Sequence, residues 1–257
     1  MNDLYCETLS HAGQIETIVL VHGWAMHSGV WREFALQLAQ QYQVILIDLP
    51  GHGRSKPIPD FKLEKISNEI IKAVLDKRSC WLGWSLGVDI VLDIADRFPD
   101  RVSSLILVAG NPHFTKTKTW PGISREFLQG FRRSIENNGD AALLRFLLLQ
   151  LEGTEQAKAL AKKLKQIFLL HPVPCIETLL SGLSILQHTD MRPALQAATC
   201  PMAIIMGAKD SLVPVMTGTA IQELKPKSQL HIIEDATHIP FLSHPNEVIK
   251  LVHGFLD

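Results

Sequence analysis

A mostly parallel β-sheet flanked by helices and carrying a helical insertion is the fold class the sequence predicts. Three observations carry this reading. Short β-branched runs alternate with helically spaced segments, the strand-like runs are apolar throughout, and the alternation stops over one long stretch before it resumes.

The strand-like runs are Thr17-Ile18-Val19-Leu20-Val21, Val44-Ile45-Leu46-Ile47, Cys80-Trp81-Leu82, Leu105-Ile106-Leu107-Val108, Ala203-Ile204-Ile205-Met206 and Leu230-His231-Ile232-Ile233. Their lack of polar alternation is the mark of strands buried on both faces, as in a parallel sheet. Phe61 to Asp76 and Val88 to Phe98 show helical spacing between strands, which implies right-handed crossovers.

No convincing strand occurs between about Asn111 and Asp190. Phe127 to Leu170 reads instead as several helices punctuated by Gly130, Gly139 and Gly153, and Pro172 and Pro174 break the stretch between helices. The expected organisation is one core of residues 1–111 and 191–257 with a helical cap inserted at residues 112–190. A chain of 257 residues is long enough for one such domain with a well-buried core.

At 46% hydrophobic and 20% charged, the composition excludes disordered, collagen-like and coiled-coil classes. A net charge of −1 gives no long-range field favouring nucleic acid. The start of the chain lacks a basic region followed by an apolar core, and no apolar run is long enough to span a bilayer. The expectation is a cytoplasmic monomer. Cys6, Cys80, Cys175 and Cys200 are widely spaced and form no CxxC pair, so they read as small buried thiols, neither disulfides nor a zinc site.

Chemistry enters with Gly83-Trp84-Ser85-Leu86-Gly87, a G-x-S-x-G sequence directly after one strand-like run and before a helical pattern. The sharp turn crowds the flanking positions, and glycines there let the serine hydroxyl project. A hydroxyl is a weak nucleophile at neutral pH, so it requires a base, and the base requires an acceptor that fixes its tautomer. Asp210, in the loop after Ala203–Met206, is the expected acid, and His238, in the loop after the last strand, the expected base. His231 lies inside a strand and His244 near a helix start, while Asp48, Asp89, Asp93 and Asp235 read as structural carboxylates.

The oxyanion of an ester's tetrahedral intermediate requires preorganised donors, each worth about 10²–10³-fold in rate. The Leu86 N–H, next after the nucleophile, is one candidate. The Trp24 N–H, in the loop Val21-His22-Gly23-Trp24, is the second. His22 reads as a loop histidine bonded to backbone, and Asp48-Leu49-Pro50-Gly51-His52-Gly53-Arg54-Ser55 fits no phosphate-binding pattern and reads as a structural loop. No metal or organic cofactor is required.

Together these motifs resemble the α/β-hydrolase superfamily over essentially the whole chain. A closer resemblance is to the pimeloyl-acyl carrier protein methyl ester carboxylesterases of biotin synthesis. It rests on His22-Gly23-Trp24, the serine motif, Trp120-Pro121-Gly122-Ile123, Arg145-Phe146-Leu147 with Gln150, His238 with Pro240-Phe241, and Ser243-His244-Pro245. The resemblance implies substrate contacts at Trp24, Ser85, Leu86, Phe146, Leu147, Leu148, Leu149, Gln150 and His238. It also implies acyl carrier protein as the partner that presents the pimeloyl methyl ester.

Val88 departs from the family, which usually has glycine there, and Ala141, Lys158 and Lys162 replace basic positions of the carrier contact. The insertion is nonetheless locally basic, with ten Lys/Arg against seven Asp/Glu. Lys158, Lys162 and Lys165 share one helix face, and with Arg145 they form the expected contact with an acidic carrier. The leucines from Leu143 to Leu151 cover more than one helix face, so acyl channel and core packing are both open to them.

The rival readings are a general carboxylesterase acting on short free small-molecule esters, a C–C bond hydrolase or perhydrolase with the same triad, and a noncatalytic ligand-binding protein on this scaffold. An intact triad disfavours the last.

Overall fold

The computed structural model describes residues 3–11, 13, 16–75, 78–154 and 156–257. Met1, Asn2 and Asp76, which entered the expectations above, lie outside them. The chain begins with β1 (Cys6–Leu9), β2 (Thr17–Val21), α1 (Arg32–Leu38), β3 (Gln43–Ile47) and α2 (Leu63–Ala73). It continues through β4 (Ser79–Trp84), α3 (Leu86–Arg97) and β5 (Val102–Val108). Then come α4 (Arg125–Asn137), α5 (Gly139–Leu149), α6 (Ala157–Phe168) and α7 (Ile176–His188), with no named strand among them. The last part is α8 (Arg192–Ala197), β6 (Met202–Gly207), α9 (Met216–Leu224), β7 (Gln229–Ile233), α10 (Pro240–Ser243) and α11 (Pro245–Leu256).

The strands form one sheet in the order β1-β3-β2-β4-β5-β6-β7, parallel except for β1. Strands β2, β4 and β6 are buried along their whole length, as their unbroken apolar runs require. The order doubles back around β2, so the loops after β2 and β4 open side by side at the carboxyl edge, where such sheets place their sites.

Four expectations are corrected. Sequence reading missed β1, because Cys6-Glu7-Thr8-Leu9 is short, only partly buried, and held at the sheet edge by antiparallel pairing to β3. β7 is the opposite edge, and Ile232 is half-exposed there, so its apolar run does not mean burial on both faces. Gly130 interrupts nothing. It lies inside α4, where the Ser124 cap and the burial of Leu128 and Ile135 outweigh its cost of about 1 kcal/mol. Of the four cysteines, all free, only Cys80 is buried; Cys175 is exposed because it caps α7 at the surface.

The structure also shows how Val88 is accommodated. Its side chain is fully buried in α3, and the space it takes is the space Gly110 leaves, since a Cβ on Gly110 would sit 2.2 Å from Val88 Cγ2. Gly110→Ala is therefore expected to destabilise the protein by about 1–3 kcal/mol through overpacking. In a double-mutant cycle followed by urea denaturation, Val88→Gly should recover part of that loss, and purely additive effects would show that the two sites do not interlock.

Candidate active site

The turn from β4 into α3 places Ser85 at φ 55° and ψ −119°, a conformation that costs a non-glycine residue about 1–3 kcal/mol. It persists because the surroundings dictate it. The Ser85 N–H donates to the Val108 carbonyl at 3.1 Å and the Ser85 carbonyl accepts from Val88 at 2.9 Å. A Cβ on Gly83 would lie 2.4 Å from the Gly87 carbonyl oxygen, and one on Gly87 2.3 Å from that of Val21. Only glycine fits at either position, and the serine is left at the amino end of a helix.

Nε2 of His238 lies 3.0 Å from Ser85 Oγ, and its Nδ1 lies 2.8 Å from Asp210 Oδ2. Asp210 Oδ1 accepts from the Leu212 and Val213 N–H groups at 2.8 and 2.9 Å, so both carboxylate oxygens are fixed. With Nδ1–H donating to the carboxylate, Nε2 is the acceptor that faces the hydroxyl. All three side chains are buried.

His238 is held through its backbone as well. The Trp84 indole donates to its carbonyl at 2.8 Å, and its N–H donates to the Gln150 carbonyl at the end of α5 at 3.2 Å. Sequence reading did not find these anchors, because a backbone carbonyl carries no residue signature.

The loop after β2 lies directly against the serine, since a Cβ on Gly23 would be 3.0 Å from Ser85 Cβ. Among the described residues, no hydrogen bond engages the backbone N–H of Trp24 or of Leu86, and both residues are buried. Buried amides seldom stay unpaired, so both N–H groups are free to donate to a bound group. The Trp24 indole donates to the Leu179 carbonyl of α7 at 2.9 Å, and its ring meets the edges of Phe131 and Phe146 at 5.5 and 4.9 Å.

A matching sequence profile, described as the alpha/beta hydrolase fold, spans residues 16–245. The chain belongs to the α/β-hydrolase fold family. Within it, this hydrolase is 38% identical over 96% of its length to a pimeloyl-[acyl-carrier protein] methyl ester esterase of Proteus mirabilis, covering 94% of that relative. It is 36% identical over 98% of both chains to the esterase of the same name from Methylococcus capsulatus. Among solved structures, an esterase from Exiguobacterium antarcticum superposes with TM-score 0.88 at 20% identity, covering 98% of this chain and 94% of the other. A bromoperoxidase from Bacillus anthracis superposes equally well, TM-score 0.88 at 21% identity over 98% and 95% of the two chains, so these likenesses speak for the fold alone.

The other expected contacts of the hydrolase are spread around α5. Phe146 faces Trp24, Leu147 is buried, Leu149 is partly buried, and Leu148 is half-exposed. Gln150 is fully buried, its Oε1 has no partner among the described residues, and its Nε2 makes one long bond of 3.4 Å to Phe146. An apolar cleft of about 340 Å³ between α4 and α5 is lined by Phe127, Phe131, Ala142, Arg145, Phe146 and Leu149. Arg145 and Lys158 share a second groove, of about 590 Å³, with Leu148, and Lys158, Lys162 and Lys165 are all exposed on α6.

Most of the competing residues have structural partners. His231 lies in β7, His244 pairs with Ser243, Asp93 with Arg97, and Asp235 with Lys209. His22 donates from Nδ1 to the Gly23 carbonyl and accepts at Nε2 from Leu49 N–H, which ties the loop after β2 to the loop after β3. Burial, reinforced by nearby His52, keeps it uncharged well below its ordinary range, and burial pushes His52 down to about 4. Burial opposes ionisation of Asp48 too, yet donors from Ser28 and Arg54 outweigh it and hold its carboxyl below the usual value.

Asp89 has no such help. It is buried in α3, its Oδ2 lacks a partner among the described residues, and burial raises its pKa well above the ordinary carboxylate value. The unfolded chain ionises this group above about pH 4 while the folded chain keeps it protonated, so it contributes a stability loss that grows as pH rises. Asp89→Asn is expected to raise the melting temperature, with a gain that widens by about 3 °C per pH unit as pH rises above about 4, for as long as the folded carboxyl stays protonated. A gain independent of pH would show that Asp89 is ionised in the folded state.

Proposed function

We propose that the hydrogen-bonded chain Ser85–His238–Asp210 hydrolyses a carboxylic ester through an acyl-enzyme, and that the ester is the methyl ester of pimeloyl-acyl carrier protein. The observation that carries the chemistry is the pair of contacts of 3.0 and 2.8 Å that link the hydroxyl, imidazole and carboxylate beneath two unpaired amides. The substrate rests on the likeness to the curated esterases over nearly the full chain.

Ser85 Oγ gives its proton to His238 Nε2 as it forms a bond to the ester carbon. The Trp24 and Leu86 N–H groups take up the oxyanion, and the amino end of α3 adds a favourable partial charge. When the tetrahedral intermediate collapses, the carbon–methoxy bond breaks and methoxide leaves as methanol with the proton from His238. Water then repeats the sequence on the acyl-serine. It delivers its proton to His238, forms the carboxylic acid, and releases Ser85 with that proton restored. Asp210 keeps Nδ1 protonated and stabilises the imidazolium throughout, and no step needs more than these groups and water.

Residues 112–190 serve as the cap over a core of residues 1–111 and 191–257. The aromatic wall of Trp24, Phe131 and Phe146 suits a polymethylene chain, and the buried, underbonded amide of Gln150 offers that chain's polar end a partner. Exposed Arg145, Lys158, Lys162 and Lys165 suit an acidic carrier.

Ser85→Ala is expected to lower kcat on pimeloyl-acyl carrier protein methyl ester by about 10⁴-fold or more. Activity surviving the substitution would overturn the mechanism. Raising salt from 50 to 500 mM should lower kcat/KM for the carrier-bound ester and leave that for dimethyl pimelate nearly flat. Equal salt dependence, or turnover of the free ester alone, would favour a general carboxylesterase on small-molecule esters.

A further inference from the structure

Helix α5 ends against both loops that bear the base and the acid. Its last carbonyls have no partner within the helix, as at every helix end. Here the Gln150 carbonyl accepts from the His238 N–H at 3.2 Å, and the Leu149 carbonyl accepts from Ser211 Oγ at 3.0 Å. Ser211 directly follows Asp210, and one residue further on the Leu212 N–H already holds Asp210 Oδ1. One turn earlier, Phe146 packs against Trp24. One turn of α5 thus touches the base loop, the acid loop and the wall of the oxyanion loop.

We infer that the last turn of α5 is a strut that sets the spacing of His238 and Asp210, and that Ser211 is the positioning residue that locks the acid loop to it. The inference rests on the triad reading given above, but concerns a hydroxyl that neither touches substrate nor moves a proton.

Two features argue for a role in geometry and against one in bulk stability. Ser211 is exposed, so its hydroxyl could be satisfied by water at little cost, and its loss buries no unpaired group. The bond it makes joins two segments far apart in the chain, the insertion and the loop after β6. Without it Asp210 keeps its contacts with Leu212 and Val213, but the loop is no longer tied to the helix that also anchors His238. Small displacements of a base relative to its orienting acid are paid in turnover more than in binding.

The test uses the full chain with p-nitrophenyl butyrate, a substrate that needs no carrier. Ser211→Ala is expected to lower kcat about three- to tenfold, the worth of one hydrogen bond, with KM and melting temperature nearly unchanged. Ser211→Thr, which keeps the hydroxyl, should restore kcat. An unchanged kcat in Ser211→Ala, a loss that follows the melting temperature, or no recovery in Ser211→Thr would each overturn the strut. Ser85→Ala run alongside separates the two ideas: if it stays active, the triad reading fails and the inference with it, whereas an inactive Ser85→Ala beside a fully active Ser211→Ala rejects the inference alone.

Discussion

Steric crowding at the turn between β4 and α3 governs the rest of the site. With Gly83 packed on the Gly87 carbonyl and Gly87 on the Val21 carbonyl, the helix can approach the sheet closely enough for Ser85 to take a left-handed conformation. That conformation lifts the hydroxyl out of the turn and leaves the amides at the start of α3 facing the same space. The nearness of Gly23 to Ser85 then brings the loop after β2 against the serine. One packing constraint between a helix and two strands therefore sets the places of Ser85 and the loop after β2 together, the groups proposed as nucleophile and oxyanion donor.

Beneath this turn lies a floor that works only while uncharged. His22 offers one nitrogen as donor and the other as acceptor, and Leu49 N–H needs that acceptor, so a second proton on the ring would break the link between two active-site loops. Its burial next to His52 keeps that proton away. The nearby Asp48 is the opposite case: it stays ionised because backbone and Arg54 donors converge on it. The loop read from sequence as merely structural is the support on which the oxyanion loop rests.

Most of the sheet was legible because strands buried on both faces must be apolar, and Asp210 and His238 stood out as candidates because each follows an apolar strand at the carboxyl edge. What was not legible shares a physical cause. The edge strand β1 is short and partly buried, so nothing in Cys6–Leu9 distinguishes it from a loop. The fit of Val88 into the space above Gly110 joins positions with no local relation. The anchors of His238 are an indole and a carbonyl from distant segments, and carbonyls are alike in every residue. Asp89 looked like an ordinary helix carboxylate, and only packing reveals that its Oδ2 has no partner among the described residues.

The division of labour between the cap's two faces bears on selectivity. A hydrocarbon chain in the cleft lined by Phe127, Phe131, Phe146 and Leu149 would be held by non-directional contacts worth about 0.8 kcal/mol per methylene, which separate neighbouring chain lengths only by a small factor. On the proposed reading the underbonded Gln150 amide would meet the polar end of a long acyl group, while both oxygens of Asp210 are already satisfied. Contacts inside the pocket are open to free and carrier-borne esters alike, so on the same reading discrimination between them would come from the exposed basic residues of α5 and α6. Such contacts act chiefly on encounter and are weakened by salt, while the chemistry at Ser85 is indifferent to both. Specificity and catalysis are thus separable in this fold, and the lysines on α6 could change with the carrier's surface without disturbing the triad.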